Sequence, residues 1–199
     1  KGRKIGLTSG TVADFFTDAF LAVNGISRKK MNVVVLKADD LPDALANGEV
    51  DAIATFSPFV TQAQKKLGNR GITFYGKDIY TQTFDVVATQ EYIRRNPGKV
   101  RKLLSALINA EKFVGENRVE AQKIVADFNR MDIAMLRDIW AVTSYSITLD
   151  QQLLLALEDE SRWAIKGGLT RAGKVPNYLN FIYLDGLASV KPEAVRILR

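Results

Sequence analysis

The stretch Lys4–Phe20, KIGLTSGTVADFFTDAF, decides how this chain reads. Lys4-Ile5-Gly6-Leu7-Thr8 has the composition of a short buried strand, Ser9-Gly10-Thr11 that of a tight turn, and the apolar residues that follow recur at helical spacing. Phe15, Phe16, Ala19, Phe20 and Val23 are predicted to form the apolar face of that helix. The order strand, small polar turn, helix has a chemical use. The first amides of a helix have no internal acceptor, and the dipole is positive at that end. A turn of Ser, Gly and Thr leaves those amides open to an anion or a polarised oxygen and adds two hydroxyl donors. The same residue types also serve as plain helix caps, so Ser9 or Thr11 capping the helix is the competing reading.

The strand–helix alternation continues through the first 78 or so residues. Asn24-Gly25 ends the first helix, and Asn32–Lys37, NVVVLK, reads as a second strand with both faces covered. Asp39 or Asp40 is placed to cap a helix over Leu41–Asn47 with Pro42 in its first turn. Val50–Thr55 is a third strand, Phe59–Leu67 a helix and Gly71–Tyr75 a fourth strand. Such alternation argues for a parallel α/β sheet, in which ligands bind beyond the carboxyl ends of the strands. Two loops occupy that position, Thr8–Thr11 and Thr55–Pro58. Thr8, Ser9, Gly10 and Thr11 are therefore candidate ligand contacts, with Thr55, Phe56 and Ser57 opposite them. Phe56 is suited to lie flat against a ligand and equally suited to the core.

From Gly76 to Tyr80 the pattern breaks, and Gly76–Thr83 is expected to pass between lobes. Thr81–Thr89, TQTFDVVAT, reads as a strand, which brings Thr83 into the candidate site beside the hinge. The remainder is helical: one helix from Asn96-Pro97, then Arg118–Phe128, Ile133–Trp140, a long helix capped by Asp150 and stopped by Gly167-Gly168, and a last helical segment after Pro176. The domain boundaries expected are 1–80 and 81–199.

Composition narrows the function. There is no histidine and no cysteine, which removes His-based triads, thiolate chemistry and the usual zinc sites. No cofactor, metal site or catalytic residue is expected, and the chain does not read as an enzyme. Net charge is 28 − 22 = +6, but the basic residues are scattered, as in Lys1, Arg3 and Lys4 or Arg28–Lys30, without interleaved aromatics. Nucleic acid is not an expected partner. No apolar run approaches the length of a membrane span.

KGRKIGLTSGT, LPDALANGEVDAIATFSPFV, TFDVVATQEYIRRNP, LEDESRWAIKGGLT and VPNYLNFIYLDGLASVKPEAV, in this order, resemble the nitrate/sulfonate/taurine-type substrate-binding proteins of bacterial ABC importers, relatives of thiamine-precursor binding proteins. The resemblance runs through essentially the whole chain. It implies a periplasmic-binding-protein type II-like fold, two α/β lobes joined by a hinge, with a helical carboxyl-terminal part. It also implies a small, often anionic solute, membrane subunits of an ABC transporter as partners, and a periplasmic or extracytoplasmic location. The family turn is an aromatic residue, an acidic residue and Pro; here the middle residue is Ser57, so a cleft carboxylate is missing. In the family a further lobe's worth of chain precedes the Lys1-Gly2-Arg3-Lys4 start. The resemblance therefore places 1–80 in the second lobe and 81–199 in a return to a first lobe, as in the carboxyl-terminal two-thirds of a binding protein. Alternatives are a ligand-sensing module with the same fold and an enzyme akin to the pyrimidine-forming relatives. The latter need a reactive His and a Cys-rich motif, which this sequence lacks.

Overall fold

A computed structural model describes residues 2–76 and 78–198; Lys1 of the first basic cluster, Lys77 of the expected interlobe link and Arg199 lie outside the described residues. The chain divides into two units, Lys1–Gln82 and Thr83–Arg199.

The first unit is built on a three-stranded parallel sheet. Strand β1 (Lys4–Leu7) is followed by helix α1 (Val12–Val23), β2 (Asn32–Val35), α2 (Leu41–Ala46), β3 (Ala52–Ile53) and α3 (Phe59–Leu67). β1 is central, in the order β2-β1-β3, and pairs Lys4 with Asn32, Leu7 with Val35 and Gly6 with Ile53. Gly6 is where the strands and α2 close on each other: a Cβ there would stand 3.0 Å from Leu41 Cδ2. Leu7 and Leu41 have no exposed surface and form the centre of this core with Val50, Ala44 and Ala63. Helix α1 ends with Gly25 at φ +65°, where its amide donates to the Ala22 carbonyl and the Ile26 amide reaches back to Leu21. Only glycine enters that left-handed conformation without strain, and the paired bonds satisfy two of the last carbonyls.

The face of α1 that is buried differs from the predicted one. Ala13, Asp14, Thr17 and Leu21 turn inward, whereas Phe20 and Val23 are exposed. Phe15 packs edge-on against Tyr80, with ring centroids 5.1 Å apart. The polar pair is buried because its bonds are made internally. The Thr17 hydroxyl donates to the Ala13 carbonyl, and Asp14 is held by the turn before the helix. Asp40 stands at the start of α2 without capping it through its side chain, because its backbone is already helical. At the opposite edge of the sheet from the turns, Asp51 accepts from the Lys4 amide at 2.8 Å and from Arg3 at 2.6 Å.

Two expected strands are absent. Gly71–Tyr75 and Thr81–Thr89 are irregular, and Ile72, Phe74, Phe84 and Val87 are each more than three-quarters exposed. Strand composition needs a ladder partner to become a strand, and none pairs with these segments among the described residues. The Thr83–Arg199 unit contains helices α4 (Gln90–Arg95), α5 (Pro97–Glu116), α6 (Arg118–Asn129), α7 (Ile133–Ala141), α8 (Gln151–Lys166) and α9 (Leu184–Ala188). Helix α4, not predicted, is capped by the Thr89 hydroxyl accepting from the Tyr92 amide. Asp150 caps α8 through the Gln152 and Leu153 amides. The last helical segment expected after Pro176 forms as a 3-10 turn at Tyr178–Asn180 and the short α9, with Phe181–Tyr183 between them. One core gathers Ala121, Ala126, Leu136 and Trp140; another gathers Leu154, Leu184 and Ile197. Between α5 and the chain after α9, Lys191 Nζ donates to both Glu111 oxygens at 2.8 Å, and Glu111 also accepts from the Ile147 amide.

Three outcomes follow from these contacts. The Lys191 and Glu111 side chains are 19% and 23% exposed, between a surface pair and a buried one. Lys191→Met should therefore cost about 1–3 kcal/mol in denaturant unfolding, and an unchanged midpoint would remove the pair from the account of stability. The Lys4 amide first, and then Arg3, hold the Asp51 carboxyl below the usual carboxylate range. The stability from that contact is present above the unfolded carboxylate value and is lost as pH falls through the lowered folded value. Asp51→Asn should flatten that acid limb when melting temperature is followed against pH. The exposed apolar segments 71–75 and 81–89 should make the 199-residue chain self-associate in sedimentation experiments. Lysine at Phe84 and Val86 should reduce that association, and a monomeric, cooperatively melting wild type would contradict it.

Candidate functional site

The parallel register puts the loops after β1 and β3 side by side. Gly6 pairs with Ile53 and the Ala54 amide donates to the Gly6 carbonyl, so continuing the ladder sets Thr8 level with Thr55. Thr8, Ser9, Gly10 and Thr11 thus share one sheet edge with Thr55, Phe56 and Ser57. Thr83 belongs to the other unit, where its hydroxyl lies 3.3 Å from Asp85.

The turn is wired differently from the open donor set that the sequence suggests. The Thr8 hydroxyl donates to the Leu36 carbonyl at 2.9 Å, tying β1 to the end of β2. The Thr11 hydroxyl turns back to the Thr8 carbonyl at 2.7 Å and caps nothing. Ser9 Oγ and the Gly10 amide both donate to Asp14 Oδ2, at 3.2 and 2.8 Å. Gly10, at φ +71°, makes the reversal that aims its amide at Asp14. The hydroxyls of the turn are therefore committed to the protein. The α1 start has no side-chain cap, and its first turn carries the carboxylate of Asp14.

On the neighbouring loop, Thr55 Oγ1 is screened from solvent and has no hydrogen-bond partner among the described residues. Phe56 is half-buried with its ring edge-on to Phe59, centroids 5.7 Å apart, and Ser57 is exposed before a cis bond to Pro58.

Two features of this edge escape a motif-based reading. One is Asp14, an acidic residue inside an apolar helical run, 3% exposed and bonded to the turn. Its i+4 spacing from Gly10 was the available signal. The other is the loop after β2, Lys37–Asp40, which opens on the same edge and carries one lysine beside two exposed aspartates. Parallel pairing of β2 with β1 was enough to place it. Within the second unit, an open hollow of about 460 Å³ is lined by Pro97, Arg101, Tyr183 and Asp185 among others, and none of the predicted site residues lines it. No group of three or more His, Cys, Asp or Glu able to hold a metal occurs among the described residues.

Comparison with known proteins matches this arrangement to one group. The structure superposes on the periplasmic aliphatic sulphonate binding protein SsuA of Escherichia coli with a TM-score of 0.79 at 15% identity, covering 94% of this chain and 64% of that one. The alkanesulfonate-binding protein SsuA of Xanthomonas axonopodis pv. citri, bound to MOPS, gives 0.67 at 18% identity over 88% of this chain and 61% of its own. In sequence, a binding protein of Brucella abortus (strain 2308) is 24% identical over 139 residues, 68% of this chain and 44% of the relative. A protein of Bacillus subtilis (strain 168) named for binding aliphatic sulfonates is 26% identical over 141 residues, 70% of this chain and 42% of its own length. This chain thus spans less than half the length of these curated relatives. Its fold is α/β of the periplasmic-binding-protein type II kind. The NMT1/THI5-like family model matches residues 1–121, and the chain belongs to that family.

Proposed function

We propose that this protein captures a small anionic solute, a sulfonate, nitrate or related organic acid, and delivers it to an ABC importer outside the cytoplasmic membrane. The observation that carries the reading is the parallel pairing of Gly6 with Ile53, which brings the loops after β1 and β3 to one carboxyl edge. The solute's acidic group meets the leading amides of α1, where the helix dipole favours negative charge. The Thr55 hydroxyl, without a partner among the described residues, rotates to donate to the solute. Phe56, steadied by Phe59, lies against the solute's apolar body. Sulfonate binding in the structural neighbours supports the class of solute. The absence of histidine and cysteine from the sequence supports a binding role over a catalytic one.

Calorimetric titration of the complete protein tests this. Alkanesulfonates should bind, and Thr55→Val should weaken them about tenfold, the worth of one hydrogen bond to a charged group. Binding of polyamines or amino sugars, with no response to sulfonates, carboxylates or phosphate esters, would overturn the anion assignment.

A further inference from the structure

Asp14 sits directly beneath the candidate turn and is almost fully buried. One oxygen accepts from the Gly10 amide and the Ser9 hydroxyl. The other forms an ion pair with Arg28 Nη1 at 2.7 Å, and the same nitrogen donates to Asp18 Oδ1 at 2.8 Å. Burial draws the Arg28 guanidinium down, but the hydrogen bonds and charges of Asp18 and Asp14 outweigh it, and the group is held above its ordinary value.

A buried carboxylate behind an anion site is a contradiction unless its charge is met. It cannot swing aside for a solute, since that would strand the Gly10 amide and leave Arg28 facing one carboxylate. It also cannot be left alone, since an uncompensated buried charge repels a nearby anion across a medium far less polarisable than water. We infer that Arg28 is a positioning and charge-compensating residue of the solute site, acting through Asp14, and that the net charge of the Asp14–Arg28–Asp18 cluster sets the affinity for anions. This rests on reading the Thr8–Thr11 edge as an anion site. Two carboxylates and one guanidinium give −1 − 1 + 1 = −1 in the wild type. Asp18 keeps 30% of its side chain exposed and is partly screened by water, so Asp14 is the charge the solute feels.

The test is calorimetric titration of the complete protein with ethanesulfonate, with thermal melts confirming that each variant folds. The cluster is −2 in Arg28→Met, 0 in Asp14→Asn and −1 again in the double variant. Arg28→Met should weaken ethanesulfonate about tenfold, since it leaves the buried Asp14 charge unmet. Arg28→Lys, which keeps the charge, should retain most of the affinity. Asp14→Asn keeps an oxygen to accept from Gly10 and Ser9 but loses the charge, and should bind several-fold more tightly. The double variant should return to within about threefold of wild type. A purely structural role predicts the reverse, with the second substitution adding damage. Arg28→Met without effect, or a double variant no tighter than Arg28→Met, would overturn the inference while leaving the anion site standing. If Arg28→Met fails to fold, Asp14→Asn decides, and weaker binding there overturns the inference. A wild type that does not bind ethanesulfonate at millimolar concentration would overturn the site reading and the inference with it.

Discussion

The parallel pairing of β1 with strands on both sides is the constraint from which the candidate site follows. Parallel neighbours end on the same edge, so the register of Gly6 with Ile53 and Leu7 with Val35 gathers three strand-to-helix loops there. The strands are short, and their ladder alone would not hold this register. Leu7 and Leu41, both without exposed surface, lock it by filling the space between sheet and helix. The closeness of Leu41 to Gly6 shows how little slack remains. A slip of one residue would turn Leu7 to the other face and separate Thr8 from Thr55. Core packing and site geometry are here the same fact.

The electrostatics of the two sheet edges differ in kind. At the starting edge, Asp51 meets Arg3 and the Lys4 amide in the open, where water screens the pair and its contribution is modest. At the carboxyl edge, Asp14 lies buried under the turn, where its charge counts for more, and it pairs with the partly exposed Arg28. The turn owes its shape to that buried carboxylate. Ser9 and Gly10 donate inward, and only the start of α1 is left facing outward as an uncapped dipole. The site is thus narrower in its donors than a list of Ser, Gly and Thr suggests, and more sensitive to what lies behind it.

Most of the first unit was legible in the sequence because its signals are local. Valine runs gave β2, although it spans only Asn32–Val35 and leaves Val35 exposed where both faces were expected to be covered; Pro42 and Gly48 bracketed α2, and Phe59–Leu67 formed as read. The buried face of α1 was not legible, since counting apolar residues favours Phe16, Phe20 and Val23 over a face containing Asp14 and Thr17. Those two are buried because neighbours satisfy them, which depends on the turn and on Arg28 from a separate loop. The segments 71–75 and 81–89 were misread for the complementary reason. Their propensity is that of strands, but propensity records a fit to a pleated partner surface. The family resemblance was visible from the order of motifs. The internal bonding of the site was not, because motif order says nothing about which donors the protein uses itself.

The two units differ in how they are held together. The Lys1–Gln82 unit has a three-stranded ladder, a core and a charge cluster of its own. The Thr83–Arg199 unit has helices and two modest cores, while its strand-like segment from Thr83 stays irregular and exposed. Sequence likeness over 1–121 spans all of the first unit and reaches only the start of α6 in the second. The charges of Asp14 and Arg28 lie outside the strands, so altering their count leaves the pairing of Gly6 with Ile53 in place.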